Sequence, residues 1–147
     1  MATRILVLDA DQETLIALQQ VLEDGGFDTI TTWDVAEARQ LLRDTYFDFL
    51  IVGDHPPEMD AVAILREVHQ HGCCGASIVL AGNRESQVER FRRVGAVGVI
   101  PHQEYDSLLD AVKRHVRILS FVRKPKPVAA TEAASVIEAT VSGSKAR

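Results

Sequence analysis

Carboxylates and imidazoles are the side chains of this 147-residue chain best spaced to do chemistry. Asp9 and Asp11 flank Ala10 directly after the apolar run 5–8, Asp54 and His55 follow the run 49–52 and Gly53, and His102 follows the run 97–100 and Pro101. Carboxylates gathered at the ends of apolar runs can hold a divalent cation. An imidazole among them can ligate a metal or form a contact that responds to pH near neutrality. Two readings of His102 stand: a partner of Asp9, or a partly exposed loop histidine. Asp9, Asp11, Asp54, His55 and His102 together would supply donors enough for a metal. His69-x-His71-x-Cys73-Cys74 offers donors too, but its spacing matches no tetrahedral zinc pattern. It reads instead as a helix end, a stop at Gly72 and two small apolar residues entering a strand. Adjacent cysteines are poor disulfide partners. Neither a disulfide framework nor a bound metal is expected.

The elements that position these residues follow from hydrophobic period. Short apolar runs at 5–8, 27–32, 49–52, 77–81 and 97–100 read as strands. Between them lie segments of helical period, at 11–24 with Leu15, Leu18 and Leu22 on one face, and at 59–71 with Val62, Leu65 and Val68. Asp34 with Glu37, and Ser86 with Glu89, have capping-box spacing and open two further helices. Phe91 and Val94 fall at core spacing in the second of these. A fifth helix starts near Tyr105 and carries Leu108, Leu109, Val112, Val116 and Leu119. The sum is (βα)5, a doubly wound parallel sheet whose sites lie at the carboxyl ends of the strands.

Composition sets limits. No apolar run reaches the length that spans a bilayer, and residues 5–8 are too short for a signal-peptide core, so a cytoplasmic location is expected. The net charge of −5 hides an asymmetry: residues 1–110 carry −11 and residues 111–147 carry +6. A basic stretch attracts nucleic acid or an acidic protein, but no helix-turn-helix, zinc finger or stacking-aromatic pattern accompanies it, so nucleic acid is not expected. Residues 1–121 read as one domain. Residues 122–147 read as a Lys/Pro linker and a largely disordered tail.

The segment from Phe49 through Gly53, Asp54, His55, Pro56 and Pro57 to Met59, Asp60 and Ala61 resembles the third strand and following loop of a response-regulator receiver domain, the CheY-like family. Pro57, Met59, Asp60 and Ala61 stand in register with that family's Pro-x-Met-Asp-Gly-like segment. The resemblance extends over about residues 3–120, including residues 5–9 and Gly95-Ala96. It implies strand order 2-1-3-4-5. It also implies where phosphoryl chemistry would sit, and there this chain departs. The acceptor aspartate is replaced by Gly53, and Asp54 comes one residue late. The second metal-binding carboxylate is Ala10, since Asp11 reads as a helix cap. The hydroxyl after strand four is Ala81, the strand-five aromatic is Val99, the lysine is His102, and the proline after that lysine is Gln103. Asp9 alone offers Mg²⁺ too few oxygens.

With these substitutions the resemblance implies a receiver that is not phosphorylated: a protein-interaction module of bacterial two-component or phosphorelay signalling, neither an enzyme nor a cofactor carrier. Its partner would be a signalling protein or an output domain, a histidine kinase among them. The family's surface of helix four, strand five and helix five, also a homodimer surface, would here include Arg90, Arg93, Val97, Val99, Lys113, Arg114 and Arg117. The alternative is an active receiver phosphorylated by a histidine kinase on Asp54, swung into place by a bulge at Gly53, with Mg²⁺ bound. A flavodoxin-like cofactor binder would need a phosphate loop where Asp9-Ala10-Asp11 repels phosphate.

Overall fold

The computed structural model describes residues 3–72, 74–82 and 85–123. By internal contacts the chain divides into two compact units, Met1–Ala111 and Val112–Arg147. The first holds the whole sheet.

Among the described residues ten elements alternate: β1 (Arg4–Leu8), α1 (Gln12–Asp24), β2 (Asp28–Thr32), α2 (Val35–Asp44), β3 (Phe47–Gly53), α3 (Ala61–His71), β4 (Cys74–Ala81), α4 (Glu85–Arg93), β5 (Ala96–Pro101) and α5 (Tyr105–Arg123). The five strands form one parallel sheet in the order β2-β1-β3-β4-β5, the doubly wound order expected. The inner strands are apolar at nearly every position because helices cover such a sheet on both faces. Leu6, Leu8, Leu50, Val52 and Val79 join Leu42, Met59, Leu65 and Phe91 in one core cluster. Ile5, Val7, Phe49, Ile51 and Ile78, which alternate with them along the strands, are equally buried, as a side-chain period of two requires.

Three helices begin where an aspartate caps them. Asp11 accepts from the Glu13 N–H, Asp34 from Ala36, and Asp60 from Val62 and Ala63. Each side chain satisfies N–H groups that the first helical turn leaves without partners. α3 closes on Gly72 at φ 61°, a left-handed cap that glycine adopts at no steric cost.

Several boundaries differ from those expected. α3 starts at Ala61 rather than Met59, because Met59 is tied into a bridge with His55. α4 already runs at Glu85, so Ser86 lies inside the helix and does not cap it. Glu37 does not close a capping box on Asp34. It accepts instead from the Thr32 hydroxyl, which in turn accepts from the Asp34 N–H. β4 starts three residues early, at Cys74, because its pairing with β3 begins there. α5 continues through Arg123, so residues 122 and 123 are helical where the linker was expected. The rest of the expected linker and tail lies outside the described residues.

Candidate functional site at the carboxyl ends of β1, β3 and β5

β1 lies between β2 and β3, so the crevice where the chain reverses its winding opens over the ends of β1 and β3. Asp9 leaves β1 there. Its side chain is fully buried. One oxygen, Oδ1, accepts from the Asp11 N–H at 2.8 Å and lies 2.8 Å from His55 Nε2. The other, Oδ2, is buried without a hydrogen-bond partner among the described residues. Leaving a polar atom in that condition costs about 1–3 kcal/mol.

Gly53 explains how the carboxylate fits. A Cβ built on Gly53 would stand 1.9 Å from Asp9 Oδ2, 2.6 Å from Asp9 Cγ and 3.2 Å from His55 Nε2. The Asp9 carboxylate therefore fills the volume that any side chain at position 53 would need. No bulge disturbs the strand: β3 pairs with β4 in regular register from Phe49↔Ala76 to Gly53↔Leu80.

Asp54 faces another way. Its N–H donates to the Leu80 carbonyl at 2.8 Å, and its Oδ1 accepts from the Ala61 N–H at 3.1 Å, at the start of α3. Asp54 and Asp60 thus share the first N–H groups of one helix, where negative charge is favoured. Asp11 is likewise occupied at the start of α1, accepting from Glu13 N–H and from the Thr14 hydroxyl.

His55 was not expected to be the partner of Asp9. Its backbone exchanges hydrogen bonds with Met59 at 2.9 and 2.8 Å, which closes the loop and fixes the residue over the pocket. A signal for this existed in the chain: in extended backbone, residue 55 returns to the side on which residue 53 lies. His102, read either as a partner of Asp9 or as a partly exposed loop histidine, is half-buried and sets its ring against that of His55, with centroids 4.9 Å apart and planes tilted by 37°. One of its nitrogens lies within 4.8 Å of an Asp9 oxygen. The turn behind it is unusual. Gln103 has φ 72°, a value that the proline of the receiver pattern could not adopt.

The remaining positions are accounted for. Ala10 is exposed and Ala81 is buried at the end of β4. Arg90 and Arg93 on α4 and Val97 on β5 are exposed, while Val99 is half-buried and Phe91, expected in the core, is there. Lys113, Arg114 and Arg117 are exposed on the part of α5 in the second unit. Cys74 is half-buried on β4.

The residues present do not fit the Mg²⁺ that the receiver resemblance implies. That ion needs near-octahedral oxygen coordination. Asp9 contributes one unpartnered oxygen, Ala10 and Gly53 contribute no side-chain donor, and Asp11 and Asp54 are engaged by helix N–H groups.

This topology defines the fold class: a doubly wound parallel sheet of order 2-1-3-4-5. The similarities agree. The chain is 27% identical over 99 residues to a response regulator receiver protein of Anaeromyxobacter sp. strain Fw109-5, a stretch that is 67% of this chain and 42% of that relative. The chain thus matches less than half the length of that relative. A receiver domain (CheY-like) from Methanospirillum hungatei superposes with TM-score 0.74 at 18% identity, over 83% of this chain and 99% of that one. A two-component response regulator from Clostridium difficile superposes with TM-score 0.73 at 17% identity, over 80% and 98%. No family model matches the chain. The fold is that of CheY-like receivers, and the sequence similarity supports the response-regulator receiver family.

Proposed function

We propose that this chain is a receiver domain of two-component signalling that works without a phosphoryl mark, as a cytoplasmic interaction module and not as a catalyst. The observation that carries this reading is the collision at Gly53. Asp9 lies where an acceptor side chain would stand, and Asp54, the nearest other carboxylate in sequence, is bound to the α3 N-terminus. A phosphoryl group at this edge would also meet no hydroxyl at Ala81.

Recognition then rests on surface. The first unit offers Arg90 and Arg93 on α4 and Val97, a residue 47% exposed, on the edge strand β5. That combination suits an acidic partner, a signalling protein or an output domain, with affinity that falls as salt rises. Among the described residues, no helix is long and apolar enough to cross a membrane.

The test is incubation of the protein with Mg²⁺ and a small-molecule phosphodonor, followed by intact-mass measurement. The expected result is an unchanged mass. A phosphoryl adduct that disappears in Asp54→Ala would establish the active-receiver alternative.

A further inference from the structure

We propose that Asp9, His55 and His102 form a binding site for a divalent transition-metal ion of the zinc class. One donor atom from each residue lies within 4.8 Å of the other two. The three come from different strand ends: Asp9 after β1, His55 after β3, and His102 after β5. A second observation points into the same space. Asp9 is wholly buried, and its Oδ2 has no partner among the described residues. A cation bound there would supply the counter-charge and the contact that this oxygen lacks. Only a glycine at 53 lets Asp9 and His55 take these positions, since any Cβ would fall on that oxygen and stand 3.2 Å from His55 Nε2.

The donor set chooses the ion. Two imidazoles and a carboxylate suit zinc, nickel, copper or ferrous iron, and do not suit magnesium. Around zinc, with bonds of about 2.0–2.1 Å, tetrahedral donors stand about 3.3 Å apart. From within 4.8 Å the donors would close to that spacing by rotation of the two half-exposed imidazoles, with Asp9 held by its bond from the Asp11 N–H. Three protein donors leave a fourth position for water or for a donor from a partner. This site goes beyond the proposed function and does not depend on it, because metal binding is read without reference to phosphorylation.

The experiment uses the full 147-residue chain, without a purification tag and stripped with chelator. Zn²⁺ binding is followed by calorimetry and Co²⁺ binding by visible absorption. We expect one equivalent of either ion to bind, with ligand-field bands for Co²⁺ and no displacement by millimolar Mg²⁺. His55→Ala and His102→Ala should each weaken binding by more than about 10-fold, since even changes behind a metal ligand have effects of that size. A Cys73→Ser/Cys74→Ser double variant should bind unchanged. His102→Ala keeps the test decisive if His55→Ala fails to fold, because His102 lies on a half-exposed turn. The proposal is overturned by absence of a saturable one-equivalent site, by unchanged affinity in His102→Ala, or by loss of binding in the cysteine variant.

Discussion

Two acidic regions at the same edge of the sheet are built in opposite ways. At the start of α3, Asp54 and Asp60 face backbone N–H groups and each accepts from them. At the end of β1, Asp9 is buried against Gly53 with one oxygen doubly engaged and the other without a partner. The difference teaches which part of the receiver-like segment does structural work. Met59, Asp60 and Ala61 close a loop and start a helix, a task that needs no phosphoryl chemistry. The residues facing the crevice, Gly53 and His55, enforce a particular place for one carboxylate. A carboxylate at a helix start is stabilised by fixed dipoles. The buried Asp9 carboxylate has one backbone N–H, from Asp11, and one side chain, His55, so losing that side chain leaves it a single partner and makes the second region the more vulnerable.

Removing His55 should show that vulnerability. In the presence of chelator, His55→Ala is expected to lower unfolding free energy by about 1–3 kcal/mol, because it takes away a partner of a buried carboxylate. Urea unfolding measures it, and a neutral result would mean that water reaches Asp9 freely.

Asp60→Ala probes the other region. Loss of the cap of α3 should cost about 1 kcal/mol, less than His55→Ala, because Asp54 still accepts from Ala61. A larger cost than for His55→Ala would reverse the ranking of the two regions.

The smallest effect belongs to a surface pair between α2 and α3. Arg39 on α2 meets Glu67 on α3 at 2.8 and 3.1 Å. The hydrogen bond from Arg39 holds the Glu67 carboxyl below its ordinary value and raises that of the guanidinium. The stabilisation is therefore present above the unfolded Glu pKa of about 4.3. It is lost as pH falls through the lower folded value. Both side chains are well exposed, so Arg39→Ala should cost about 0.2–1 kcal/mol at neutral pH. The difference from the unsubstituted protein should vanish in acid, as thermal unfolding at several pH values would show.

Much of the fold was legible because its causes are local. Apolar runs alternating with helical periods led to (βα)5, and Asp11 and Asp34 were recognisable as caps. Boundaries failed where pairing partners decide them. Cys74 and Gly75 join β4 because β3 lies beside them, and Glu37 turns to Thr32 because β2 ends next to α2. In the site, the position of Gly53 could be read from the register of Met59 and Asp60. What fills the space over Gly53 could not, since Asp9 and His55 meet across 46 positions of chain. His102 was legible as a candidate neighbour of Asp9, and its donor does lie within 4.8 Å of those of Asp9 and His55. Its ring contact with His55 and the left-handed turn at Gln103 were not legible.

The central claim is that Asp9 holds the place of an acceptor side chain, and a double-mutant cycle between positions 9 and 53 measures it. Gly53→Ala alone should lower unfolding free energy by about 1–3 kcal/mol or more, the cost of forcing a methyl group into occupied volume. In an Asp9→Ala background the same substitution should cost almost nothing, giving a coupling of similar size. An alanine at 53 that is neutral in both backgrounds, or equally costly in both, would contradict the account.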